Sequence, residues 1–181
     1  MNQPQFTELA TGTLNIAFKE AETRANPEVE EAHLLYGFLK TNGPVKEILS
    51  EDQEAKILGW LNQLPTVDGG GQPRPSNKLQ TVIKAAIEES QKRGDSFVPQ
   101  EMLLWGLVEA GSNDVFKILD KNLIKEKINN LRENKKVESE TQDANYQSLQ
   151  KYTTDLTEIA TKGKIDPVIG REEEVRRVMQ V

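Results

Sequence analysis

The sequence predicts an all-α fold, a duplicated, pseudo-two-fold bundle of about eight helices over residues 1–134. Three observations predict it. Apolar residues recur at three- and four-residue spacing, no run in this stretch alternates as a strand would, and the stretch repeats itself. Displaced by 69 residues, 7–39 matches 76–108 without a gap. Thr7 falls on Ser76, Leu14 on Ile83, Ala17 on Ala86, Glu20 on Glu89 and Arg24 on Arg93. Val29 falls on Val98, Leu34-Leu35 on Leu103-Leu104, and Gly37 on Gly106. Seven of 33 positions are identical, against about two expected from ordinary composition. With one inserted residue, 45–49 falls on 115–119. The units run from about 5 to 64 and from about 75 to 134. Two copies are too few for a solenoid and suit a compact pair.

Each unit begins with a helix capped by a hydroxyl. Thr7 and Ser76 can accept an orphan N–H of the first turn. Ala10, Leu14, Ala17 and Ala21 then share a face, as do Leu79, Ile83, Ala86 and Ser90. Their small size lets these helices pack closely. Ala25-Asn26-Pro27 and Gly94-Asp95 break the pattern. Second helices are expected over 30–41 and 99–110, with Pro99 suited to a first turn. Short helices are expected over 44–50 and 114–121, and longer ones over 52–63 and 123–134. Residues 64–75 hold three successive Gly and three Pro and join the halves as a loop.

Apolar content collapses over 135–148, which reads as a solvated linker. An amphipathic pattern through Leu156, Ile159 and Ala160 follows, then extended IDPVIG and a helix from Arg171. So short a segment buries little alone, and it reads as the start of a larger domain.

Composition narrows the chemistry. The 181 residues contain no Cys and one His, which excludes disulfides, thiolate nucleophiles and His-rich metal clusters. Twenty-three basic against 29 acidic residues give a net charge of −6, unlike a nucleic-acid binder. No apolar run is long enough to span a membrane, and MNQPQFTELA has no secretory character. A cytoplasmic location is expected. No catalytic constellation and no metal site is found.

KYTTDLTEIATKGKIDPVIGREEEVRRVMQV resembles the opening of the first AAA+ ATPase module of Clp-family chaperones, of the ClpB type. The duplicated half resembles the Clp N-terminal domain, including Phe6-Thr7, His33-Leu34-Leu35 and Met102-Leu103-Leu104. The resemblance implies a substrate-binding domain over 1–134, a linker over 135–148 and the start of an ATPase module over 149–181. It implies that unfolded or aggregated polypeptides are the partners. It also implies that the parent is a homohexameric ATPase using ATP and Mg and working with co-chaperones, while this chain is a monomer. Val168, Ile169, Gly170 and Arg171 would line the parent's adenine pocket. The chain holds no G-x-x-x-x-G-K-[ST], since Gly163-Lys164 is followed by Ile165. No ATP hydrolysis and no cofactor is therefore expected of this chain itself. The ClpC type, whose N-domain docks folded adaptors, is the alternative.

The resemblance marks Thr7, Asp95 and Glu101 as polar residues that handle substrate. Each also has a structural role open to it: a helix cap, a turn, and a first-turn carboxylate. A groove for unfolded chains needs exposed apolar walls, with Leu14, Ile83, Phe97 and Met102 as candidates. Phe97 falls on Glu28, so its position tolerates charge and is expected at the surface. His33 falls on Met102 and Trp105 on Tyr36, which suggests packing roles for both positions.

Overall fold

The computed structural model describes residues 5–67, 71–132 and 136–142. These belong to the first of two compact units, 1–148; the second is 149–181. The expectations for 149–181, including Val168 to Arg171, lie outside the described residues.

Eight helices are present among the described residues: α1 (Glu8–Thr23), α2 (Glu31–Lys40), α3 (Pro44–Ile48), α4 (Glu51–Leu61), α5 (Asn77–Arg93), α6 (Gln100–Ala110), α7 (Asn113–Phe116) and α8 (Lys121–Arg132). The all-α duplicated bundle is thus the observed architecture. Both hydroxyl caps form, with Thr7 Oγ1 accepting from Ala10 N and Ser76 Oγ from Leu79 N, each at 3.2 Å. Ala10, Thr13, Ala17 and Ala21 of α1 are buried, as are Leu79, Val82, Ala86 and Ser90 of α5. Such short side chains let the neighbouring helix approach closely. A Cβ on Gly37 would lie 2.5 Å from the Thr13 carbonyl oxygen, and one on Gly106 would lie 2.3 Å from that of Val82. These contacts are equivalent under the repeat. They explain why glycine recurs there: α2 rides on α1, and α6 on α5, at backbone contact.

The structure corrects the expectation of no strand. β1 (Glu28–Val29) pairs in parallel with β2 (Arg74–Pro75), and Phe6 bridges Val98 in the same sense. Phe6 is the counterpart of Pro75, and Val29 of Val98. Each half therefore sends the residues before its first helix across to the other half's bend. Thr7 N donates to Val98 O and Ser76 N to Val29 O, both at 3.1 Å. Two residues carry no legible alternation, and their partners lie far away in sequence.

Side chains also cross between halves. Glu31, fully buried, accepts from Ser112 N at 2.8 Å and Ser112 Oγ at 2.5 Å, which ties the residue before α7 to the first half. Its counterpart Gln100 donates to Thr13 Oγ1 at 2.7 Å. The short helix expected over 114–121 ends at Phe116, and the chain restarts as α8.

The linker expected over 135–148 is corrected for 136–142. Val137 is fully buried there, and the segment lies back across the second bend and the start of α1. Tertiary hydrogen bonds, which composition does not reveal, hold it in place.

Candidate functional site

The second bend is built on a left-handed glycine. Gly94, at φ 77°, follows α5 and donates to Ser90 O and Gln91 O. In the first half the same turn is made by Ala25 at φ 52°, a conformation costly for a residue with a Cβ.

Behind each bend sits a polar anchor. In the first half, Asn26 Nδ2 donates to Pro65 O at 2.8 Å, and Asn26 Oδ1 lies 2.9 Å from His33 Nε2. His33 Nδ1 accepts from Glu30 N, so the ring proton sits on Nε2 and points at Asn26. Burial lowers the His33 pKa to about 4, against a smaller opposing pull from the Glu20 carboxylate. The ring is therefore a neutral strut at pH 7.

In the second half, Asp95 replaces Asn26 and the anchor is ionic. The Asp95 side chain is fully enclosed and accepts from Arg132 Nη1 at 2.8 Å and Arg132 Nη2 at 2.5 Å. Ser90 Oγ donates to Oδ2 at 3.0 Å and Val137 N to Oδ1 at 2.9 Å. Arg132 Nε lies 3.7 Å from Glu101 Oε1, so one guanidinium serves two buried carboxylates. A planar donor fork suits that arrangement where an ammonium would not. The cluster fixes α8, α6 and the bend in one geometry.

A family model described as the Clp repeat (R) N-terminal domain matches residues 5–122. The chain belongs to this family.

Aligned over its whole length, it is 34% identical over 192 residues to the chaperone protein ClpB of Bacteroides thetaiotaomicron, covering 100% of this chain and 22% of that relative. ClpB of Mycobacterium tuberculosis strain H37Rv is 36% identical over 181 residues, covering 93% of this chain and 21% of the relative. The chain spans about a fifth of the length of the curated relatives it matches. The Hsp104 N-terminal domain from Candida albicans superposes with a TM-score of 0.69 at 25% identity, over 77% of this chain and 99% of that one. The N-terminal domain of ClpD from Arabidopsis thaliana shares the fold, with a TM-score of 0.55 at 20% identity over 68% of this chain and 94% of that one.

In this Clp N-domain the residues singled out from the sequence fall into two groups. Thr7, Asp95, Glu101 and Met102 have buried side chains and offer no surface to a partner in this conformation. Met102 as a groove wall is corrected outright: it is fully buried in the core, as His33 is at the equivalent place. The third residue of the second helix is enclosed in either half. Thr7, Asp95 and Glu101 are brought close to the second bend, but as cap and ionic anchor. Leu14 and Ile83 are half-buried against the core, Phe97 is half-buried at the second bend, and all three keep accessible surface. Glu28, the counterpart of Phe97, is exposed.

Sequence reasoning missed Arg132, whose three contacts organise the anchor. It also missed a cavity of about 440 Å³ lined by Lys56, Gly59, Trp60, Gln63, Asp114, Lys117 and Ile118. Phe116, in neighbouring α7, is 42% exposed. Two cations, Arg93 and Lys125, each lie over the Trp105 ring, 4.5 Å from its centroid. Among the described residues, no group of three or more His, Cys, Asp or Glu could hold a metal ion, and no helix is long and apolar enough to cross a membrane.

Proposed function

We propose that this chain is the client-engaging N-terminal region of a ClpB-like, ATP-driven disaggregase. It takes unfolded or aggregated polypeptide weakly on the apolar edge formed by Leu14, Ile83 and Phe97. One observation carries the reading: in a chain matched from end to end by ClpB chaperones, the second bend is locked from behind by Asp95, Arg132 and Glu101, and Phe97 is left partly in solvent on its outer side. A rigid bend that presents an aromatic ring suits partners of many sequences, because an apolar contact discriminates little between them. Single-site affinity is on the order of micromolar to millimolar. In a hexameric parent, tethered copies offset that weakness by avidity. The parent's cytoplasmic ATPase cycle on ATP and Mg, with Val168, Ile169, Gly170 and Arg171 lining part of its adenine pocket, and its co-chaperones belong to the same proposal. Thr7, Asp95, Glu101 and Met102 support the site from behind it.

Chemical-shift mapping with casein, an unfolded polypeptide, tests the reading. The largest shifts are expected at Leu14, Ile83 and 94–98, and Phe97→Ser weakens binding several-fold. A domain that ignores casein, binds only a folded adaptor and is unchanged by Phe97→Ser would favour the ClpC-type alternative and refute this one.

A further inference from the structure

Val137 is the one large apolar side chain in the sequence between Leu131 and Tyr146, and it is fully buried. The segment around it is tied to the domain almost entirely through main-chain groups. Val137 N donates to Asp95 Oδ1 and Ser96 N donates to Val137 O, both at 2.9 Å. Three residues on, Glu8 N donates to Glu140 O at 2.9 Å. Glu8 opens α1, so its N–H has no partner within the helix. The stem of Lys136 lies over Gly94, 3.4 Å from where a Cβ would stand. Gln142 closes the segment on itself through Glu138 N and Lys136 O, each at 2.8 Å.

The groove beneath this strap therefore reads one acceptor, two N–H donors and an enclosed seat for one aliphatic side chain. Any extended polypeptide with an aliphatic side chain offers the complement, whatever its sequence. The first half has no such groove. Pro27 stands where Ser96 does and has no N–H, and Val67, which donates to Ala25 O, remains 45% exposed.

We propose that the strap is an intramolecular occupant of a peptide-binding groove, and that an extended client segment docks by replacing it, with an aliphatic side chain in the Val137 socket. This rests on the client-binding reading above and adds to it a binding mode and a built-in competitor. Apparent affinity is the intrinsic affinity multiplied by the fraction of time the strap is away, so loosening the strap raises it.

Two variants loosen it by different routes. Val137→Asp puts a second carboxylate into an enclosed seat beside that of Asp95, which expels the strap. Gln142→Ala removes the side-chain bonds to Glu138 N and Lys136 O that hold the segment in shape, and leaves every donor and acceptor of the groove in place. Casein is titrated against the full chain and both variants, with amide hydrogen exchange on the wild type. Both variants are expected to bind about tenfold tighter. Casein should strip protection from the Val137 amide and leave that of Ser96 intact. If casein binds but the variants bind no tighter, or the Val137 amide stays protected in the complex, the strap proposal falls and the client-binding reading stands. If neither wild type nor variants bind casein, both fall.

Discussion

Gly106→Ala tests the packing argument most directly. A Cβ there would meet the Val82 carbonyl oxygen at 2.3 Å and Ala86 Cβ at 3.2 Å. An ordinary contact needs about 1 Å more than the first distance allows, and the obstacle is backbone inside a helix, which cannot rotate away. So α6 must lift off α5 along the most extensive helix–helix contact of the second half. Overpacking of this kind costs about 3 kcal/mol. Alanine returns about 1 kcal/mol through helix propensity, which leaves a net loss of about 2 kcal/mol. Gly59, inside α4, supplies the control, because a Cβ there meets nothing within 4 Å. Gly59→Ala therefore gains about 1 kcal/mol from propensity alone. Urea unfolding of both variants reads the difference as opposite shifts of the midpoint. If Gly106→Ala unfolds at or above the wild-type midpoint, close backbone approach does not explain the repeated glycine.

Further outcomes follow from the anchors. Arg132→Met leaves the Asp95 and Glu101 carboxylates buried without their shared cation, and should cost about 3–5 kcal/mol in urea unfolding, well above the cost of Asp95→Asn. His33, with its pKa lowered to about 4, protonates in the unfolded chain first. Its contribution is complete above about pH 6.5 and is lost as pH falls toward 4, at up to about 1.4 kcal/mol per unit. His33→Met, which places the second half's residue in the first, should be less stable at pH 7 and show a flatter decline between pH 7 and 5. Ala25→Gly relieves a left-handed alanine and should raise the melting temperature, by about 1 kcal/mol in stability.

Local spacing wrote the helices into the sequence. Thr7 and Ser76 cap as their hydroxyls require, and the small-residue faces of α1 and α5 are the buried ones. The duplication was legible from identities alone, including Gly37 and Gly106, although their purpose was not. The site was legible only in part. Phe97 stood out because its counterpart is a charge, and it does keep exposed surface. Met102 misled, since a flexible apolar residue beside two acids looks the same in sequence whether it lines a groove or fills a core. Asp95 and Glu101 looked like a polar rim because their cation, Arg132, lies one helix pair away and carries no local signature.

The sequence by itself determined that residues 1–134 are helical and twofold repeated, and that the chain holds no Cys, one His and no G-x-x-x-x-G-K-[ST], because periodicity, identity and residue inventory are properties of the chain. Only the tertiary structure decided which acids are enclosed, how the halves exchange their leading residues, and that a polar tail segment returns to cover the second bend. Those outcomes depend on hydrogen bonds and an ion pair between residues tens of positions apart, and the sequence between them does not record that distance in space.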